Sequence, residues 1–218
     1  MENWKNGAET SLRVAIPGKV NFQPGQYFLG ITPLQAEALG QVFYPLEVAE
    51  RFLTLSPMYG GKWFAGQAIN LRGPLGNGFR VPASAERIGL IGYGQSKLAS
   101  LIPLAKTFLV AGKEVALVTD LPVQGLPMAL EILPTEQAAE VAGWADALAI
   151  CAQPKDIPEL MRVFSKEASR KSVEVLLQTE MPCAGVAACG VCAVLTKKGW
   201  QHVCKEGPVF SLADLVSE

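Results

Sequence analysis

Four cysteines crowd the end of the chain: Cys183, Cys189, Cys192 and Cys204, spaced C-x5-C-x2-C-x11-C. Four thiolates complete the tetrahedral coordination of two irons in a [2Fe–2S] cluster. Such a cluster needs backbone N–H groups close to its sulfurs, so the loop around it must be built from small residues. Between the first three cysteines stand Ala184, Gly185, Ala187, Ala188 and Gly190, with only Val186 and Val191 bulky enough to wall off water. The plant-type spacing is C-x4-C-x2-C with a distant fourth cysteine, one residue shorter in its first interval. A loop absorbs one residue. Two alternatives stay open: a structural zinc site, which more often splits its cysteines into two separated knuckles, and unliganded thiols. A Rieske centre needs two histidines, and the chain has only His202. His202 lies two residues before Cys204, and a solvated histidine is its plainer role. Cys151, remote from the others, reads as a buried small residue.

The rest of the composition bounds the setting of these thiols. Half of the 218 residues are hydrophobic and 18% are charged, enough for a buried core and against disorder. A net charge of −1 gives no overall pull toward nucleic acid or anionic membrane. The first residues lack the basic-then-apolar pattern of a signal peptide. The apolar runs near Leu90 and Leu109 are interrupted too early to span a bilayer. A reducing cytoplasm is therefore expected, where clustered cysteines bind metal more often than they pair.

Two kinds of element must position the site. Up to Pro82 the chain alternates short apolar runs with Gly/Pro clusters: residues 12–16, 27–31, 52–55 and 68–71 read as strands of a small β-barrel or sandwich. From residue 86 the pattern changes. A buried strand over 88–91 is followed by Gly92-Tyr93-Gly94, then apolar residues recur at helical spacing from Leu98 to Leu109. Pro103 places the start of the helix proper near Leu101, and Gly112 stands at its C-cap. Strands over 115–119, 147–150 and 173–177 and helices over 135–142 and 158–168 continue a parallel α/β unit. The expected organisation is a barrel over 1–82, an α/β domain over 83–177 and a cluster module over 178–218.

Cys183 to Cys192, followed by Val203-Cys204-Lys205-Glu206-Gly207-Pro208-Val209-Phe210, resembles the C-terminal cluster segment of the electron-transfer subunit of dihydroorotate dehydrogenase. That family lies within the ferredoxin–NADP reductase-like superfamily. Pro24-Gly25-Gln26-Tyr27 is similar to the family's early barrel turn, and Gly73-Pro74-Leu75-Gly76-Asn77-Gly78-Phe79 to its barrel-exit loop. Ile88 to Leu104 occupies the place of its nucleotide-binding strand, turn and helix. Ile150-Cys151-Ala152-Gln153-Pro154 sits where the family has a cysteine-glycine-proline motif beside the nicotinamide. The resemblance implies an α+β multidomain fold: a ferredoxin reductase-like small β-barrel, a Rossmann-like parallel α/β domain and a short C-terminal [2Fe–2S] module with Cys183, Cys189, Cys192 and Cys204 as ligands.

It also implies a flavin and a nicotinamide nucleotide, and here the sequence departs from the family. Where relatives hold the FAD pyrophosphate with an arginine and a hydroxyl residue, this chain has Phe43-Tyr44-Pro45-Leu46-Glu47-Val48, without the arginine's paired donors and with a carboxylate in the hydroxyl position. Tyr44, Pro45 and Leu46 are the expected FAD contacts, although an aromatic on a barrel strand also serves as packing. Only Gly60-Gly61 stands near the place of the family's glycine-threonine turn. Gly92 and Gly94 are the expected nucleotide-turn glycines and Asp120 the expected ribose contact. Each has a plain structural reading as well, since two glycines often mark a strand-to-helix connection. Ala152 replaces the glycine beside the nicotinamide.

The expected function is an electron-transfer subunit of a multisubunit oxidoreductase. It relays electrons through a [2Fe–2S] cluster to or from a catalytic or electron-donating partner subunit, with FAD and NAD(P) sites in question and no catalytic residue of its own. The alternatives are a complete FAD- and NAD(P)H-dependent reductase subunit and a zinc-stapled interaction module without redox chemistry.

Overall fold

The computed structural model describes residues 2–6, 9–31, 40–59, 63–123 and 126–217. Its first half is a six-stranded antiparallel sheet in the order β1-β2-β5-β4-β3-β6. The strands are β1 (Glu2–Asn6), β2 (Glu9–Ala15), β3 (Tyr27–Ile31), β4 (Gln41–Ala49), β5 (Phe52–Pro57) and β6 (Asn70–Leu75). The meander β3-β4-β5 with β2 returning beside β5 is a Greek key.

Side-chain alternation divides this sheet's work between two faces. Phe28 and Phe43, opposite each other on β3 and β4, point into a core of Leu12, Val14, Leu53, Leu55 and Trp63. The sheet wraps around that core, with the Phe43 and Trp63 rings edge to face at 5.2 Å. The alternate residues Tyr27, Leu29, Val42 and Tyr44 join the larger core shared with the second half of the chain. One apolar run on each strand therefore serves two cores.

The second half is a sheet in the order β14-β11-β10-β7-β8-β9. Its strands are β7 (Arg87–Gly92), β8 (Glu114–Val118), β9 (Glu131–Leu133), β10 (Ala147–Ala152), β11 (Ser172–Leu177) and β14 (Val209–Ser211). The helices are α1 (Leu101–Val110), α2 (Ala138–Trp144) and α3 (Ile157–Ala168). A 3-10 turn over Leu98–Ser100 precedes α1, so the helix begins where Pro103 allows, and Gly112 follows it at φ 77°. The helix expected over 135–142 divides into a 3-10 turn at Thr135–Gln137 and α2.

Strands β7 to β11 pair in parallel, and the chain reverses its direction of progress between β7 and β10. Ligands of open α/β sheets bind in the crevice beyond the strand ends at such a switch point. Strand β11 is not the last of this sheet: β14 pairs antiparallel to it, Val175 opposite Phe210. The cluster segment leaves the sheet at Gln178 and returns to it at Val209, with a hairpin of β12 (Ala193–Thr196) and β13 (Gly199–His202) between. The turn expected at Gln35–Gly40 and the glycines Gly60-Gly61 lie outside the described residues, apart from Gly40. Among the described residues no helix is long and apolar enough to cross a membrane.

Candidate metal centre

The loop from Cys183 to Cys192 is shaped by left-handed residues: Ala184 (φ 53°), Gly185 (φ 73°), Ala187 (φ 59°) and Gly190 (φ 72°). Alternation of right- and left-handed conformations turns successive N–H groups inward and forms a concave nest for negative charge. Here four left-handed residues within seven positions turn the loop so that several of its amides face the sulfurs. The amide of Ala188 donates to the Cys183 sulfur, helped by the amides of Cys189 and Val186 and by the Cys189 thiol, and this lowers the Cys183 pKa to about 6. Burial, together with the Cys192 thiol, pushes Cys204 up to about 12, while the Ala187 amide acts in the opposite direction.

The Cys183 sulfur thus lies beside Cys189 and the Cys204 sulfur beside Cys192, with Cys183 also close enough to Cys204 to raise its pKa. Among the described residues no three His, Cys, Asp or Glu side chains form a group placed for a single metal ion. Cys192 and Cys204 are buried, Cys183 is half-buried and Cys189 is exposed. Beside Cys189 in the same loop two apolar side chains are exposed, Val186 at 60% and Val191 at 56%.

Distant segments hold this loop against the barrel, and three of them, 24–27, 73–79 and 203–210, are among those whose sequences carry the family resemblance. Phe79 N donates to Pro24 O at 2.9 Å, and Gln26 Nε2 to Gly76 O at 2.9 Å. Asn77 grips the segment after Cys204 four times. Its amide donates to Gly207 O at 2.9 Å, its Nδ2 to Val209 O at 2.8 Å and to Glu206 O at 3.2 Å, and its Oδ1 accepts from Val209 N at 2.9 Å. The buried Tyr27 hydroxyl donates to Cys204 O at 2.8 Å. On the other side, Arg72 donates to Ala184 O at 3.0 Å. Gly185 must be glycine twice over, by its φ and because a Cβ would lie 2.9 Å from Leu29 Cδ1.

Asn77→Ala removes three side-chain bonds and leaves the Val209 amide without its acceptor. Its expected cost is about 2–3 kcal/mol, read as a lower denaturation midpoint by urea titration, with faster proteolysis of the segment after Gly190. An unchanged midpoint would detach Asn77 from the module's anchorage.

Of the expected flavin contacts, Tyr44 and Pro45 are buried and Leu46 is half-buried. Tyr44 faces the second core rather than solvent, where burial first and then Cys151 and Tyr59 raise its pKa. Its hydroxyl and that of Ser56, opposite it on β5, are buried without a hydrogen-bond partner among the described residues. Glu47 follows a bulge in β4 and is exposed.

At the nucleotide turn Gly92 is buried; a Cβ there would lie 2.3 Å from Leu98 Cδ2. Three N–H groups of this turn are engaged within the protein. Tyr93 N donates to Cys151 O at 2.9 Å, Ser96 N to Tyr93 O at 3.2 Å and Lys97 N to Gln178 Oε1 at 2.8 Å. Gln178 Nε2 donates back to Lys97 O at 2.7 Å, and Lys97 Nζ crosses to Pro57 O of the barrel at 2.7 Å. A Cβ on Gly94 (φ 61°) would stand 3.4 Å from an Asp156 carboxylate oxygen. Asp120 is taken by Thr135, whose hydroxyl and amide both donate to it and lower its pKa. Cys151 is buried with its sulfur 3.1 Å from Ser100 Oγ, and His202 sits half-buried beside Glu206.

Sequence reasoning missed the roles of Tyr27, Asn77, Lys97 and Gln178. Tyr27 and Asn77 lie within segments that the resemblance singled out. The Lys97–Gln178 clasp joins residues 81 apart and leaves no pattern along the chain.

Residues 178–216 match the family described as the iron–sulfur cluster binding domain of dihydroorotate dehydrogenase B. The electron transfer subunit of dihydroorotate dehydrogenase B (NAD(+)) from Clostridium acetobutylicum is 27% identical over 94% of this chain and 90% of that protein. The gamma subunit of sulfhydrogenase 1 from Pyrococcus furiosus is 36% identical over 33% of this chain and 24% of its own length. Among solved structures, that of an NADH-dependent reduced ferredoxin-NADP oxidoreductase superposes with a TM-score of 0.77 at 18% identity, over 99% of this chain and 88% of that one. The chain has the ferredoxin reductase-like fold, and over nearly its whole length it is similar to the electron transfer subunits of dihydroorotate dehydrogenase B.

Proposed function

We propose that this chain is an electron-transfer subunit whose redox centre is a [2Fe–2S] cluster held by Cys183, Cys189, Cys192 and Cys204. The observation that carries this reading is that the segment matching an iron–sulfur cluster binding family folds its four cysteines together: Val203 N donates to Cys192 O at 2.9 Å, and a Cβ on Gly185 would stand 4.0 Å from the Cys204 Cβ. A single zinc ion calls for four thiolates converging on one point. Two irons call for two pairs, which Cys183/Cys189 and Cys192/Cys204 supply. When bound, the cluster supplies one-electron chemistry. The chain's own residues do the rest: amides of residues 186–189 offset negative charge at the sulfurs, and Tyr27 and Asn77 fix the two ligand segments relative to one another.

The relatives' names support the subunit role, since they are electron transfer and gamma subunits of larger enzymes. The partner proposed is a catalytic or electron-donating oxidoreductase subunit, seated on the exposed apolar side chains of Val186, Ala188 and Val191 beside the exposed Cys189. A potentiometric titration of the anaerobically prepared protein tests the role directly. The expected result is a reversible transition that fits a one-electron Nernst curve; a metal-loaded chain without a redox transition would overturn it.

The described residues fit a flavin at one end only. Tyr44 Oη and Ser56 Oγ are orphaned hydroxyls that a polar heteroaromatic group would satisfy. At the diphosphate end, β4 offers no cation and presents Glu47. The nucleotide turn fits a dinucleotide poorly, because the amides of Tyr93, Ser96 and Lys97 are engaged and Asp156 adds a negative charge beside Gly94. No step is therefore routed through either group. Calorimetric titration of the isolated chain with NADH or NADPH is expected to give a dissociation constant weaker than about 1 mM. A micromolar constant would restore the complete reductase as the better reading.

A further inference from the structure

Both ligand-bearing segments meet one side chain. Tyr27 opens β3, opposite Leu75 of β6, on the face of the first sheet that turns toward the cluster segment. Its ring is wholly buried. The hydroxyl donates to the carbonyl oxygen of Cys204 itself, not to a neighbour. The same hydroxyl lies against Gly185, where a Cβ would stand 3.4 Å from it, and the ring edge lies against Gly76, where a Cβ would stand 3.0 Å from Cε1. One phenol thus touches the 183–192 loop, the segment of the fourth cysteine and the loop that anchors both.

We infer that Tyr27 is a positioning residue that sets the reduction potential of the cluster through its hydrogen bond to the Cys204 carbonyl. The inference rests on the cluster reading above. Its physical basis is the direction of a dipole in a dry site. The positive end of the Tyr27 O–H points at the backbone of a ligating residue, and burial leaves no water to screen it. Reduction adds one negative charge to the cluster, so a nearby positive dipole end favours the reduced form and raises the potential. Phenylalanine keeps the ring and its packing and removes only the dipole. The other groups that reach the Cys183 and Cys204 sulfurs are backbone amides and neighbouring thiols, which the substitution leaves in place.

The test is Tyr27→Phe, compared with the wild-type chain by iron and sulfide content, EPR of the reduced state and potentiometric titration. Expected are an unchanged iron count, a shift to lower potential and altered g-values. Equal iron with the same potential and the same spectrum would overturn the inference, even if the variant melts earlier. Absence of iron and sulfide from the wild-type chain would overturn the cluster reading instead, so the two failures are distinguishable. Should the phenylalanine variant lose its iron while the wild type keeps it, site-specific Tyr27→3-fluorotyrosine retains the hydroxyl and makes it a stronger donor. There the potential must rise, and no rise overturns the inference.

Discussion

Replacing Cys204 by serine is expected to lower the iron content of the chain at least ~10-fold and to abolish its reversible one-electron transition. Serine is close to isosteric, so the buried position of Cys204 stays filled and the Tyr27 bond to its carbonyl is retained. What is lost is the thiolate. A serine hydroxyl does not ionise near neutral pH, and the Ala187 amide would then face an uncharged oxygen in place of a sulfur. The loss is expected to be as large for Cys192→Ser, the other member of the buried pair. Iron analysis and an absorption spectrum of the anaerobic protein check both. Retention of full iron by either variant would show that the pair does not hold it.

Phe43→Ala is expected to have the largest effect on stability, about 3–5 kcal/mol. For a chain of this size that corresponds to a fall in Tm of about 10 °C. The ring is fully buried, stacked edge to face on Trp63, and closes the first core from the middle of β4. It points away from the cluster side of the sheet, because its neighbour Tyr44 occupies that face. The variant should therefore melt early by calorimetry yet show the wild-type EPR signal when folded. A changed signal would mean that the two faces of this sheet are not independent.

The candidate ligands were legible because cysteine spacing and small residues mark a metal loop directly in the chain, and the segment that carries them, 178–216, matches an iron–sulfur cluster binding family. The parallel α/β unit was legible for a similar reason: short buried strands, a glycine turn and helical periodicity leave local signals. Strand β4 was read only through Tyr44 on a barrel strand; its full extent was masked by Pro45, which the structure accommodates beside a bulge. Strand β9 is three residues long and mostly exposed, so it carries no apolar pattern. Strand β14 looked like the tail of the cluster motif, and only its pairing with β11 makes it part of the sheet.

The anchorage of the site was partly legible. The resemblance picked out the segments around Tyr27, Asn77 and Val209 without showing that they touch, since their contacts span up to 177 residues of sequence. The closed nucleotide turn was half visible. Missing glycines could be counted, but the clasp of Lys97 and Gln178 and the approach of Asp156 exist only once the sheet brings β7, β10 and β11 side by side.

The central claim is that the four paired cysteines hold two irons. Its most direct test is a count of iron, inorganic sulfide and zinc in the anaerobically purified protein, with EPR of the dithionite-reduced sample. Expected are about two irons and two sulfides per chain and a rhombic [2Fe–2S] signal. One zinc per chain, with no iron and no signal, would contradict the account.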